Sequence, residues 1–357
     1  MKKLDRYLLK ELFVPFLIGT LSVLLMFQAN QVIYILKTFT PQNVPMSAVF
    51  QMVIYKTPYW ATMTLPVGTS LGASLAMSRL VRESELTAIR SAGAKILRVI
   101  APIALFGVLL SVGHFVLGEK VMPNAEKAFN KLQSEVIQAA GLPTFNQNIG
   151  LKINNWYVNI GGVQRGSAGN LILSDIVLFE RAQPKQVVIT TAKKGSYDKG
   201  NWILTDTFVW VIQDQTLASA KAGKPMTIHQ PIEISSLFGQ NLPDEKSVEE
   251  LKAAIERNKK AGMDTRYDEV QYHNRFAAPA ACMVFALVSP IFAVWFARSG
   301  AFMGVLLSMI LVLLYYNAYV ICTEVIGRYG WTSPLVAAWL PNVLFVGLGL
   351  LAIRRLE

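Results

Sequence analysis

The residues that could do chemistry in this chain are few and scattered. Its three histidines, His114, His229 and His273, stand far apart, and no H-E-x-x-H pair joins them. Of two cysteines, Cys282 and Cys322, each lies inside an apolar stretch, where a thiol usually packs as a small hydrophobe. A cysteine zinc site and a disulfide framework are therefore excluded, and no ligand spacing suggests a metal or hydrolase centre. No G-x-x-x-x-G-K-[S/T] phosphate loop occurs; the nearest fragment, Ala92-Gly93-Ala94-Lys95-Ile96, lacks the first glycine and the hydroxyl residue. If ATP drives anything here, another subunit hydrolyses it.

The charged segment with a pattern is residues 78–98, S-R-L-V-R-E-S-E-L-T-A-I-R-S-A-G-A-K-I-L-R. Its centre suits a short helix: Leu86 and Ile89 fall three apart on one face, Glu85 precedes Arg90, and Gly93 can end the helix. Arg79, Arg82, Arg90, Lys95 and Arg98 fit a loop on the positive side of a membrane without any partner. That role does not account for Glu83, Glu85 and the apolar pair. A short amphipathic helix of this kind can dock in a partner's groove, with its carboxylate accepting charge-assisted hydrogen bonds from basic groups.

These groups must be positioned by a chain of 357 residues that is 53% hydrophobic and 16% charged, with a mean hydropathy of +0.38. A soluble domain carries about 25% charge. Six charge-free windows, residues 12–36, 57–78, 99–118, 276–297, 299–323 and 329–353, reach the roughly 20 residues that a membrane helix needs. A soluble enzyme, a secreted disulfide scaffold and a free nucleic-acid-binding protein are all excluded. The first window far exceeds the roughly 7 to 15 apolar residues of a signal peptide, so it is expected to remain as a helix.

Of the net charge of +11, residues 119–271 contribute only 18 Lys/Arg against 17 Asp/Glu. The remaining charge lies beside the apolar windows, where it sets orientation. Threading six spans places Lys2, Lys3, Arg6, Lys10, Arg79, Arg82, Arg90, Lys95, Arg98, Arg298, Arg354 and Arg355 on one side. Only Lys37, Lys56, Arg275 and Arg328 lie on the other, outside the insert. Both termini are thus expected in the cytoplasm and the insert outside it.

The plan is three spans in residues 1–118, an insert of 153 residues at 119–271, and three spans in residues 272–357. Residues 120–140 have helical spacing and should extend the third span. From Gly150 the period changes to two, in segments at 151–160, 171–179, 186–191, 202–212 and 226–234, with a turn signal Asp-Lys-Gly-Asn at 198–201. Strands without intervening helices favour an antiparallel sandwich or barrel over about 145–240. A capping box, Ser247 with Glu250, starts a returning helix that Gly262 can end. No internal repeat is visible.

Four stretches are familiar: L-D-R-Y-L-L-K-E-L-F-V-P-F at 4–16, E-S-E-L-T-A-I-R-S-A-G at 83–93, E-V-Q-Y-H-N-R-F-A-A-P at 269–279 and L-P-N-V at 340–343. Together with the three, insert, three plan they resemble the LptF/LptG permease family, also called YjgP/YjgQ, over nearly the whole chain. The resemblance implies an inner-membrane permease subunit of an ABC transporter that extracts lipopolysaccharide. It implies a second LptF/LptG-type subunit, in a hetero- or homodimer, and an LptB-like ATPase that uses ATP and magnesium, with no cofactor on this chain itself. It also implies a β-jellyroll-like periplasmic domain that passes lipid to LptC-like and LptA-like proteins toward the outer membrane. The family's coupling-helix glutamate falls on Glu85 and its terminal glycine on Gly93. Glu83, Leu86, Ile89 and Arg90 complete the coupling helix over about 80–93, and Glu83 can share the role of Glu85.

A lipid with phosphorylated sugars needs cations at the outer membrane edge. Lys37 resembles the family's basic residue there; Lys56, Arg275 and Arg328 are candidates by position, and each also suits an interfacial anchor that snorkels to water. Phe27, Ile33, Tyr315, Tyr316 and Tyr319 could line an acyl-chain cavity or simply pack between helices, while Gln28, Asn30 and Gln31 suit interhelical hydrogen bonds. In the insert, Val158, Ile160, Val188 and Trp210 could line a groove or form the sheet's core. Two alternatives stand beside this function. One is a permease for another envelope lipid or a lipoprotein, whose common relatives carry the large external domain after the first span. The other is a non-transporting membrane-anchored scaffold for envelope assembly, which needs no motor.

Overall fold

Inside hydrocarbon only a helix satisfies every backbone group of a single segment, and among the described residues each apolar window of this chain is mostly helical. The computed structural model describes residues 3–38, 45–139, 149–153, 156–165, 171–183, 186–198, 201–213, 216–229, 246–260, 264–296 and 301–354. The chain divides into two units. One holds Met1–Thr38, Val49–Phe129 and Pro243–Glu357; the other holds Phe39–Ala48 and Asn130–Leu242.

The helical unit contains α1 (Lys3–Thr38), α2 (Met46–Arg82), the short α3 (Glu85–Ser91), and α4 (Ile96–Val116), which continues through a π-helical turn at Leu117–Val121 into α5 (Met122–Ala139). After the insert come α6 (Val248–Lys260), α7 (Arg266–Phe296), α8 (Ala301–Val320) with a second π-helical turn at Ile321–Gly327, and α9 (Pro334–Ile353). As the helical spacing of residues 120–140 predicts, α5 carries α4 onward, and together they run from Ile96 to Gln133 as one apolar helix.

Among the described residues, five helices are long and apolar enough to cross a membrane. The sequence counts a sixth window in α2, a helix of 37 residues whose inner face is rich in hydroxyls. Thr62, Thr64, Thr69, Ser70 and Ser74 are all buried. The threonines return hydrogen bonds to their own helix, Thr62 to the Tyr59 carbonyl at 2.7 Å and Thr69 to that of Leu65 at 2.7 Å. Ser70 meets Ser289 of α7 at 2.9 Å. A helix walled in by other helices can carry such groups, because protein rather than lipid surrounds them. Of the five apolar helices α7 is the most buried and α1 the least.

Glycines allow the closest approaches. A Cβ at Gly72 would lie 2.9 Å from Cα and 3.0 Å from the backbone nitrogen of Phe16, so α1 and α2 touch nearly backbone to backbone. At Gly107 it would come within 3.0 Å of the Cys282 carbonyl and 3.1 Å of Cα of Met283, which joins α4 to α7 in the same way. One apolar core then gathers Leu8 and Leu12 of α1, Met77 and Leu80 of α2, Leu86 of α3, Ile96 to Ile103 of α4, Ile291 of α7 and Ile353 of α9. A second packs Phe285 of α7 with Tyr315 of α8 and Phe345 of α9.

The other unit holds one antiparallel sheet of seven described strands: β1 (Ile149–Ile153), β2 (Trp156–Arg165), β3 (Leu171–Gln183), β4 (Gln186–Asp198), β5 (Asn201–Gln213), β6 (Thr216–Ala222) and β7 (Met226–His229). Strands β1 to β6 pair in chain order as a meander, and β7 shares the free edge of β5 with β6. The period-two segments predict an antiparallel sheet, and it is found; the turn signal at 198–201 joins Asp198 to its partner Asn201. Val158, Ile160, Leu173, Ile176, Leu178, Trp202 and Leu204 form its core. β4 runs seven residues past its predicted end at 191, because Gly195 lets Ile176 and Leu204 close over it. β6 is not predicted at all: Thr-Leu-Ala-Ser-Ala-Lys-Ala is poor in β-formers and exposed along its length, so only its pairing with β5 makes it a strand. The expected strand residues 230–234 and the expected terminator Gly262 lie outside the described residues.

The capping box forms as its spacing predicts. Ser247 Oγ accepts from the Glu250 amide at 3.2 Å, and Glu250 Oε2 accepts from the Ser247 amide at 2.9 Å. Lys127 of α5 donates to the other oxygen of Glu250 at 2.7 Å. These two bonds, that of Lys127 first, hold the Glu250 carboxyl below its ordinary value of 4.5. A depressed carboxyl stabilises the fold above its unfolded-state value, and that stability is lost as the pH falls through the folded-state value. The side chain is 48% exposed, so screening limits the effect to about 0.5 kcal/mol. In wild type, the protection of the first-turn amides of α6, taken as their exchange relative to the intrinsic rate at the same pH, is therefore expected to fall on acidification. In Glu250→Gln that protection should already be lower at neutral pH and show no such step.

Candidate functional site

α3 is a seven-residue helix set off from α2 by a break at Glu83 and Ser84, so the expected coupling helix over about 80–93 is in fact the end of α2, a kink and α3. Ser84 makes the kink with φ 59°, and Gly93 ends α3 with φ +85°, as its position predicts. The Gly93 amide donates to the Arg90 carbonyl at 2.9 Å and the Ala94 amide to that of Ile89 at 3.3 Å, which closes the last turn. Leu86 is buried and Ile89 packs partly against the same core, while Thr87, Ala88, Arg90 and Gly93 face solvent. The helix therefore has the anchored face and the open face that the apolar spacing predicts.

Its two carboxylates are held differently. Glu83 accepts from Arg79 Nε at 3.0 Å on the outside of the kink, and Arg79 also pairs with Glu11 of α1. Glu85, only half exposed, accepts at Oε2 from the Tyr7 hydroxyl of α1 at 2.7 Å. A charged carboxylate has two oxygens and about four lone-pair positions, so a hydroxyl bound to one oxygen leaves the other to accept from a basic partner. Tyr7 was not among the residues singled out by spacing, since 78 residues separate it from Glu85.

The four candidate cations are not equivalent. Lys37 is exposed in the last turn of α1 and has no ion pair with another described residue. Arg328 is exposed too, with its guanidinium 5.6 Å from the centre of the Tyr267 ring. Lys56 is paired: its ammonium lies 2.8 Å from both oxygens of the buried Glu126 and 4.6 Å and 5.1 Å from the rings of Tyr59 and Phe129.

Arg275 donates to the carbonyl of Gly118 at 3.1 Å, inside the first π-helical turn, and to that of Lys246 at 2.9 Å. Beside it, Glu119 accepts from the Val248 amide at 2.8 Å. Arg275 and Glu119 thus staple the point where the chain leaves for the insert to the point where it returns. The sequence marks Arg275 as notable within residues 269–279 and gives no sign of this task, which depends on a junction of three distant segments.

The candidate cavity residues are mostly engaged. Tyr315 donates to Asn342 Oδ1 at 2.8 Å, and Asn342 in turn donates to the Ala277 carbonyl at 2.8 Å. Tyr316 donates to the Met63 carbonyl at 2.8 Å, Tyr319 contacts Asn274, and Phe27 stacks on Trp60 at 4.8 Å. Ile33 alone of this set is exposed. Gln28 donates to Thr57 Oγ1 at 2.6 Å, the interhelical bond expected of it; Gln31 is buried and Asn30 exposed. In the sheet Val158 and Ile160 belong to the core, whereas Trp210 is half exposed beside Phe208. His114 lies buried with Nδ1 3.9 Å from Cys282 Sγ, and the side chain of His229 lies outside the described residues.

Several apolar helices in one unit, a short helix exposed at a kink between two of them, and an antiparallel β unit inserted between the helical halves define a multi-pass membrane protein with a β domain. The model of the lipopolysaccharide export system permease LptF/LptG family matches residues 6–355, essentially the whole chain. The chain belongs to that family. No curated protein matches it closely enough to add a relative.

The pairing of Lys56 sets an asymmetric expectation. Removing one partner of a buried ion pair costs about 3–5 kcal/mol when the other is left charged and dry. Glu126 is only 5% exposed and cannot reach water, while Lys56 is 21% exposed and can. Lys56→Met should therefore lower the thermal unfolding midpoint of the purified protein more than Glu126→Gln does. Equally small losses would mean that both charges are solvated and the pair contributes little.

Proposed function

We propose that this chain is the transmembrane permease subunit of an ABC transporter that extracts lipopolysaccharide from the inner membrane and passes it to a periplasmic bridge toward the outer membrane. The observation that carries this reading is family membership over residues 6–355. α3, with its buried Leu86 and open carboxylate face, supports it. On this reading α2 is a sixth span, both termini are cytoplasmic, and the β unit is periplasmic and jellyroll-like. The chain binds no cofactor and is not an enzyme. An LptB-like ATPase hydrolyses ATP with magnesium, a second LptF/LptG-type subunit completes the pathway, and LptC-like and LptA-like proteins receive the lipid.

In this mechanism the ATPase engages the coupling segment through Glu85, with Glu83, Leu86, Ile89, Arg90 and Gly93 shaping the surface. Closure of the motor moves α3 and narrows the space between paired subunits. Lipid must then bind more weakly in the closed state than in the open one, since a conformational cycle moves a ligand only by differential affinity. Lys37 and Arg328 are the cations best placed to meet lipid phosphates, because Lys56 and Arg275 already serve protein groups.

Purifying the tagged chain from its native membrane should bring an ATPase with it. Losing a charge-assisted hydrogen bond costs about 1.5–3 kcal/mol, or roughly ten- to hundredfold in affinity. Glu85→Ala and Glu85→Lys are thus expected to lose the ATPase or to uncouple its hydrolysis from lipid. Failure of any ATPase to accompany the intact wild-type protein would overturn the transporter reading in favour of a scaffold.

A further inference from the structure

The first three turns of α1 lie across the segment that carries α3 and hold it at three points. Asp5 pairs with Arg98 at the start of α4 at 2.7 Å. Tyr7 donates to Glu85 in α3 at 2.7 Å. Glu11 pairs with Arg79 near the end of α2. Beneath these contacts Leu8 and Leu12 of α1 are buried with Leu80 of α2, Leu86 of α3 and Ile96 of α4. α3 is too short to be stable alone, so its place is set by these neighbours, and the Tyr7 hydroxyl gives α1 a direct polar contact with α3.

The chemistry of that contact is selective. A guanidinium or ammonium bound to Glu85 would neutralise it and compete with any basic group from outside. The tyrosine hydroxyl fixes one carboxylate oxygen and leaves the negative charge in place. Arg79, one turn before the kink, is committed to Glu11 and Glu83. Glu85 is therefore an acceptor held at a fixed position, joined through Tyr7 to a helix that continues into the apolar part of the bundle.

We infer that Tyr7 is a positioning residue for transport: it holds Glu85 ready for a basic group of the motor and makes α1 share the displacement of α3. This rests on the reading that Glu85 meets the motor. The test uses the complete transporter in proteoliposomes with lipopolysaccharide as the probe, and compares wild type, Tyr7→Phe, Glu85→Ala and the double variant. Phenylalanine keeps the ring and removes only the hydroxyl. Tyr7→Phe should retain the ATPase on purification yet release at least threefold less lipid per ATP hydrolysed, and should add nothing in the Glu85→Ala background. A purely structural role would lower yield, hydrolysis and release together and leave their ratio unchanged. An unchanged ratio in Tyr7→Phe, with Glu85→Ala impaired, overturns the positioning role alone. Wild-type coupling in Glu85→Ala overturns the motor contact first, and the role of Tyr7 with it.

Discussion

A polar group in hydrocarbon finds no water, so each one inside the bundle must be met by another part of the chain. The arrangement of helices around α2 and α7 follows from that constraint. Thr62, Thr64 and Thr69 of α2 bond back to its own carbonyls, Ser70 and Ser74 reach across to Ser289, and Asn342 links Tyr315 of α8 to a carbonyl of α7. Helices bearing such groups are buried, and α1, whose middle is almost purely apolar, is left at the edge with Leu17, Leu21 and Leu25 exposed. Elsewhere Gly68 and Gly72 let α2 approach α1, and Gly107 lets α4 approach α7, nearly backbone to backbone.

The same economy governs the ends of the bundle, where charges replace hydroxyls. At the end from which the insert departs, a π-helical turn carries the Gly118 carbonyl to Arg275, which also holds the carbonyl of Lys246. Lys56 and Glu126 brace α2 against α5 in an aromatic surround. At the opposite end Asp5, Tyr7 and Glu11 bind three successive elements, Tyr7 through a donating hydroxyl and Asp5 and Glu11 through accepting carboxylates. Cations that look alike by position thus divide into those used up in holding the fold and those, Lys37 and Arg328, that face outward.

Much of the architecture could be read directly. Apolar windows located the long helices, because length and charge exclusion are local properties of the chain. The switch to period two at Gly150 marked the sheet, and the spacing of Ser247 with Glu250 placed the start of α6 where the reciprocal hydrogen bonds occur. Leu86, Ile89 and Gly93 outlined α3 for the same reason, since a helix face and its terminator are set within one or two turns. β6 escaped notice because its residues favour no strand until β5 pairs with them. The G-x-x-x-G spacing at 68–72 was present as a signal for close helix packing, yet the spacing alone does not say that α1 is the neighbour.

By itself, then, the sequence determined the long helices, most of the strands, the place of the β insert between helical segments, and the apolar face and end of α3. These depend on interactions between residues a few positions apart. Only the tertiary structure decided the partner of each charge: Tyr7 on Glu85, Glu126 on Lys56, and the backbone of Gly118 and Lys246 on Arg275. Each of these contacts joins residues from 29 to 157 positions apart. Their energies come from burial and distance in three dimensions, which no local pattern of residue types encodes.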